Sequence, residues 1–475
     1  MERVLKLKDL VRHNLILLIV LEIAIGLIAI TLPLKYGLIL LFGLPIIFIL
    51  LLRPFYAYLI GIFLLPFWTI TFTGAKQVAG EVDFRFADIA FILAAIGLLV
   101  KMASEKDFTF QWSPLDLPLI FLFFWMGFSF LWGASFLGSL IDFSKKIYGL
   151  VIFYLTLNVV RQRKDLNTVL IVWVITGFSI GALGLYELMT TGLQFAEKLA
   201  VSGPAIAHWG DPVRTSAYAE NPNKLAFSLG ICIYLTLPFY SINKKPLVKA
   251  FTFFTIILML VILVTTLSRI GLIAFCLSLF FFLVVAPKIR KPVIVVVLAG
   301  IFAFILISTS AYREVLYLRL LGIIQPETTA DLPGRLNIWM VGIKMFVEQP
   351  VLGVGVGSFH KLAANFGAIN LDSPHNILIY ILSEFGLVGI SLFAFLVAKF
   401  IEEVRHGLRK VSDVRDKLIL YGLIAAMISY PLQGMISSFR LRENNMWAIL
   451  GLIFAAIRIF TLQTQHESVK EIAGR

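Results

Sequence analysis

The side chain best suited to acid–base chemistry is His375, in Ser373-Pro374-His375-Asn376, which opens an apolar run after a long polar segment. Imidazole titrates near neutral pH, so it can take the proton of an attacking hydroxyl. On position alone two readings stay open: a histidine that caps a helix or satisfies a backbone group, and one that acts as a base. Proline at 374 suggests that a helix starts there. His208 is an outside candidate on another polar segment, whereas His13, His406 and His466 fall in basic connections and His360 in a glycine-rich stretch.

Arginines supply the second chemistry. Arg214, Arg269, Arg313, Arg319, Arg335, Arg440 and Arg442 fall in connections that are otherwise poor in basic residues. A guanidinium keeps its charge and grips phosphate bidentately, so Arg214 and Arg335, on two long segments, could together clamp a diphosphate. For any one of them the alternative is an ion pair with a nearby acid such as Asp211 or Asp331. Gly353-Val354-Gly355-Val356-Gly357 looks like a nucleotide loop, but no strand and helix frame it, and it reads instead as a tight backbone turn. Asn221-Pro222-Asn223 reads as a turn that starts a helix. The long polar segments hold no Asp-x-Asp or His-x-x-x-His spacing, so a bound metal is not expected.

These residues must be positioned by helices in lipid. The 475-residue chain is 59% hydrophobic and 15% charged, with 42 phenylalanines, too apolar for one water-soluble core. A bilayer core of about 30 Å takes roughly 20 apolar residues per helix, and the chain supplies about 14 such runs. Their centres fall near Ile23, Leu44, Gly61, Ala94, Phe124, Ile152, Ile180, Gly230, Leu258, Leu277, Leu298, Val388, Ala425 and Gly451. The expected fold is therefore all-α and polytopic, a single membrane-embedded domain over 1–475. Cys232 and Cys276 both lie in apolar stretches, which argues against a disulfide or zinc framework.

The net charge of +13 sits between the spans rather than on one soluble face, which excludes a nucleic-acid partner as the reading. Arg161 to Lys164, Lys244-Lys245, Lys288 to Lys291 and Arg405 to Lys417 fall on one side when the spans alternate, and that side is the cytoplasm. Both termini land there too. Two long non-cytoplasmic loops follow, 191–220 and 310–374. The second carries Pro326, Pro333 and Pro350, yet Ile338, Trp339, Val341, Gly342, Met345 and Phe346 recur at helical spacing, so it contains short helices. Loops of that length usually carry function.

His375-Asn376, nine residues, then Gly386-Leu387-Val388-Gly389 resembles the H-[NS]-x9-G-x-x-[GTY] pattern of bacterial O-antigen ligases. Leu267-Ser268-Arg269, Gly334-Arg335-Leu336-Asn337-Ile338-Trp339 and Pro350 to Phe359 resemble further segments of the O-antigen ligase and polymerase superfamily. They occur in the family's order, after Asn221-Pro222-Asn223, and the resemblance covers 214–389. It implies a multispan inner-membrane protein with roughly 12 transmembrane helices, against about 14 apolar runs in this chain, so about 12–14 are expected, with a large periplasmic loop.

It further implies an inverting glycosyltransferase working at the periplasmic face without cofactor or metal. The donor would be a glycan on undecaprenyl diphosphate and the acceptor lipid A-core, in lipopolysaccharide biosynthesis. By position, His375 would be catalytic, Arg214, Arg335 and Arg269 would bind the donor diphosphate, and Asn376, Asn223 and Trp339 would support them. Arg214 matches only as an arginine ahead of the Asn-Pro-Asn segment. Asn376 reads as a helix cap or as a group orienting the acceptor. The resemblance also admits a polymerase, which uses a second lipid-linked repeat as acceptor, and a ligase that attaches glycans to protein. A transporter of the same lipid is the reading from another class; it needs charges within the spans, for which Glu22 and Glu187 are the best candidates.

Overall fold

The computed structural model describes residues 34–67, 85–192, 215–217, 219, 221–307, 331–367, 373–437 and 441–473. Its helices are α1 Leu34–Leu52, α2 Pro54–Leu64, α3 Phe86–Ser104, α4 Asp116–Phe128, α5 Phe136–Val159, α6 Arg163–Glu187, α7 Pro222–Ile242, α8 Pro246–Thr265, α9 Arg269–Val285, α10 Arg290–Ile307, α11 Asp331–Glu348, α12 Ile377–Lys410, α13 Val414–Gly434 and α14 Asn444–Ala473. The fold is the expected all-α polytopic one. Every expected centre from Leu44 onward falls inside its own helix, while the first, near Ile23, lies outside the described residues.

Among the described residues seven helices are long and apolar enough to cross a membrane. An eighth span is made if α1 and α2 count together; they are bent by 111° at Arg53-Pro54, where proline at the first position of α2 ends the preceding helix. Asp116–Trp132 and Arg269–Val285 are shorter apolar helices. The helix expected over Leu336 to Val347 is α11.

Helix starts follow from local chemistry. Pro222 and Pro246 occupy the opening positions of α7 and α8, where a missing N–H costs nothing. Side chains of Ser135, Asn221, Ser268, Asn376 and Asp413 each accept a backbone N–H at the start of their helices, satisfying donors that lipid cannot. Between helices in lipid there is little hydrophobic drive, so close packing decides. A Cβ added to Gly149 of α5 would lie 2.2 Å from the indole of Trp447 on α14, which shows how closely these helices approach.

Short turns make neighbours antiparallel, and one aromatic contact settles which ends coincide. Phe227, in the first turns of α7, meets Tyr430, in the last turn of α13, with ring centroids 6.0 Å apart. Since α13 runs back along α12 after a three-residue turn, the starts of α7 and α12 share one end of the bundle. The α8–α9 turn joins them there through α7. The opposite end carries the basic connections; there Arg163 donates to Asp416 at 2.9 Å and to Gln463 at 2.8 Å.

Candidate active site

The helix after His375 begins at Ile377, three residues beyond Pro374. Pro374 is therefore not its first position, and the cap is Asn376, whose Oδ1 accepts from the N–H groups of Leu378 at 2.9 Å and Ile379 at 3.1 Å. Of the two readings of Asn376, capping is the one seen. His375 does not cap; it is half-buried and holds a left-handed backbone with φ of 51°. Helix α11, which carries Arg335 and Trp339, packs on this segment: a Cβ on Gly342 would lie 2.4 Å from Ile379 and 3.7 Å from Pro374. The indole N–H of Trp339 is buried with no hydrogen-bond acceptor among the described residues.

Ten residues after Asn376, at Gly386, α12 breaks. Gly386 has φ of 64° and ψ of −161°, a region open essentially to glycine alone. The break lets the 350–359 loop bond into the helix: Leu387 N–H donates to Pro350 O at 2.8 Å and Val354 N–H to Ser383 O at 2.9 Å. Gly353, Gly355 and Gly357 all have positive φ, so the loop is the tight turn its sequence suggests. Glu384, 1% exposed, binds it through its carboxylate, accepting from Gly357 N–H at 3.0 Å and Phe359 N–H at 3.2 Å. The α4–α5 turn closes the other side, where Ser129 Oγ accepts from Val356 N–H and Ser139 Oγ donates to Val356 O.

One turn beneath, Lys146 of α5 is fully buried against Asp142, and the Tyr380 hydroxyl donates to Asp142 Oδ2 at 3.4 Å. Sequence reasoning missed this group and Glu384. The signal was present: Asp142 and Lys146 are an i, i+4 acid–base pair inside an apolar run.

The other motif residues gather at the starts of α7 and α9. Ser268 Oγ donates to Asn223 Oδ1 at 2.7 Å and caps α9 by accepting from Gly271 N–H at 3.1 Å, which puts Asn223 beside the half-buried Arg269. Leu267-Ser268-Arg269 is thus a turn into α9, with Leu267 left-handed at φ of 50°. Arg214 and His208 lie outside the described residues. Thr215, next in sequence, bonds Thr265 through backbone and hydroxyl. Glu187, a candidate for a transport path, instead accepts from the N–H groups of Ser216 and Ala217 at the end of α6 and fastens that loop.

A third polar group sits at the start of α3. Arg85 holds Asp88 through two hydrogen bonds of 2.9 and 2.7 Å, and Glu443 lies within electrostatic reach. Burial pulls the Arg85 pKa down, but the hydrogen bonds to Asp88 and the charges of Asp88, Tyr148 and Glu443 together outweigh it, and the guanidinium ends above its ordinary value. Only three non-glycine residues among those described have positive φ: Ala217, Leu267 and His375. All three stand in the loops that carry the motif residues, at the same end of the bundle. Backbone held this way costs of order 1–3 kcal/mol and persists where surrounding structure demands it.

Fold and site together define a polytopic helical membrane protein with a polar, strained set of loops at one end. Residues 254–394 match the family model described as O-antigen ligase. The chain is 25% identical over 401 residues to the teichuronic acid biosynthesis protein TuaE of Bacillus subtilis, covering 79% of each chain. A protein of Rickettsia conorii whose name includes the words polysaccharide ligase is 30% identical over 125 residues, 24% of this chain and 27% of that one. These similarities support a ligase- or polymerase-type role in polysaccharide assembly.

Proposed function

We propose that this protein is an inverting glycosyltransferase that moves a glycan from undecaprenyl diphosphate to an acceptor hydroxyl at the periplasmic face of the bacterial inner membrane. The observation that carries the reading is the left-handed His375 at the capped start of α12, with the Arg335 helix packed on it. In the reaction the acceptor oxygen attacks the anomeric carbon, the bond from that carbon to the phosphate oxygen breaks, and undecaprenyl diphosphate leaves. His375 takes the hydroxyl proton. Arg335, Arg269 and Arg214 hold the diphosphate, whose negative charge grows in the transition state, where fixed cations act most strongly. Asn376 sets the backbone of the base; Asn223 and Trp339 support the arginines.

Ligation of O-antigen to lipid A-core is the first reading of the acceptor, and the matching family model supports it. Polymerisation is the second, because the more extensive similarity is to a protein of teichuronic acid biosynthesis. The test is reconstitution of the purified chain with a lipid-linked glycan, with and without lipid A-core. Release of undecaprenyl diphosphate only with lipid A-core supports ligation, and lengthening of the lipid-linked glycan without it supports polymerisation. No release under either condition overturns the transferase reading.

A further inference from the structure

Helix α11 is apolar on two opposite faces. Val341 and Met345 are buried and Ile338 packs against them. Met340, Ile343 and Val347, at the three- and four-residue spacing that lines up one side of a helix, are instead exposed at 50%, 41% and 68%. Val351, 54% exposed, continues that line beyond the helix end. Folded proteins seldom present so long an apolar stripe to water.

The depth of the stripe is set by α12. Between Asn376 and Lys399 that helix carries one charged residue, the buried Glu384. The run is roughly 33 Å long at 1.5 Å per residue, which matches a hydrocarbon core of about 30 Å. Helix α12 therefore starts at the edge of the core, and the break at Gly386 lies about 13 Å below it. Helix α11 runs down beside these turns. Its Gly342 lies against Ile379 and Pro374 at the start of α12, whereas Pro350, just past its end, accepts from Leu387 N–H at the break.

The backbone around the break is bonded as a place without water requires. The carbonyls of Ser383, Glu384 and Phe385 accept from Val354 N–H at 2.9 Å, Gly355 N–H at 2.9 Å and the Trp125 indole at 3.1 Å. Those of Pro350, Val351 and Gly353 accept from Leu387 N–H at 2.8 Å, Val388 N–H at 3.3 Å and the Trp132 indole at 3.0 Å. Irregular backbone survives at hydrocarbon depth only where its polar groups are met within the protein. Val351 stands beside the exposed Leu387, so the stripe continues onto the outer surface of a spanning helix. Lys344 and Glu348 are also exposed, but on one flank of α11, between the stripe and the buried face.

We propose that the second half of α11 is a re-entrant segment inserted in the leaflet at the motif end, with Ile343, Val347 and Val351 against lipid acyl chains and Lys344 and Glu348 on a flank that faces water. The segment expected to lie wholly outside the membrane thus dips back into it. Hydropathy passes over it because Arg335, Asn337, Lys344 and Glu348 dilute its apolar residues.

Nitroxide labels on single cysteines test this in liposomes of phosphatidylethanolamine and phosphatidylglycerol, in a Cys276→Ser background with Cys232 left in its buried place. Collision with oxygen, which partitions into lipid, is compared with collision with a water-soluble nickel chelate. At Ile343→Cys, Val347→Cys and Val351→Cys the oxygen-to-nickel ratio should be severalfold higher than at Lys344→Cys and Glu348→Cys, and it should rise from Met340→Cys to Val347→Cys. Nickel access at the stripe equal to that on the flank would put α11 in water. Low access to both reagents would put protein, such as a second copy, over the stripe, and an even ratio from 340 to 351 would lay the helix flat on the surface. Each of these overturns the proposal. A second measurement leaves the chain unaltered: a phospholipid with a diazirine in its acyl chain, photolysed with the parental protein, should mark residues between Ile343 and Leu352, and marks confined to other helices contradict the insertion.

Discussion

Glu384 Oε2 lies 3.0 Å from the backbone nitrogen of Gly357, so a carboxylate buried in α12 is bound to a loop 27 residues earlier. The same group takes the N–H of Phe359, and the loop in turn bonds the broken backbone around Gly386. These bonds tie α12 to the glycine loop next to His375.

Glu384→Ala leaves two buried N–H groups without acceptors. Hydrogen bonds to charged groups contribute about 1.5–3 kcal/mol each, so the loss should reach at least about 3 kcal/mol. Thermal unfolding in detergent should show a clear drop for alanine and a smaller one for Glu384→Gln, which keeps one acceptor; equal melting of all three proteins would sink the idea.

Gly386→Ala places a Cβ 2.3 Å from Val351 O on a backbone that only glycine adopts readily. The expected outcome is severe, of order 3 kcal/mol or more, seen as loss of the monodisperse peak in size-exclusion chromatography. Gly367, also left-handed but with open space around it, should accept alanine at far smaller cost.

His375→Asn separates chemistry from backbone, because asparagine tolerates left-handed φ. The variant should melt within a few degrees of the parent while turnover falls about 100-fold or more. A base must be unprotonated, so parental turnover should decline on acidification, and the asparagine variant should lose that slope. A retained slope assigns the proton to another group.

Arg335→Lys keeps the charge and loses the fork, whereas Arg335→Ala loses both. The donor KM should rise about tenfold for lysine and roughly 100-fold for alanine, with little change for the acceptor. Equal KM values would move the diphosphate away from α11.

Breaking the buried pair on one side, as in Asp142→Leu, strands Lys146 and should cost about 3–5 kcal/mol. Replacing both, D142L/K146M, should recover most of that stability, read from thermal unfolding. If the double variant is no better than the single one, the pair is not the source of the loss.

Much of this protein was legible in its residue order. Lipid requires every backbone group to be satisfied within its own segment, so apolar run length alone marks the helices, and the centres from Leu44 to Gly451 all fall inside them. Asn221-Pro222 and the glycine-rich 353–357 stretch were readable because proline and glycine act on their own backbone. Pro374 misled for the same local reason: it suggests a helix start, but Asn376 supplies the acceptor that decides where the first N–H groups are capped.

The sequence by itself determined an all-helical membrane protein, its polar loops and the motif residues on them. Only the tertiary structure decided that Gly386 breaks α12, that Glu384 and Asp142 are interior acids with distant partners, and that the starts of α7, α9 and α12 share one end. The reason is physical: hydropathy and turn chemistry act within a few residues, whereas a buried carboxylate is stable only where N–H groups from a remote loop arrive to meet it.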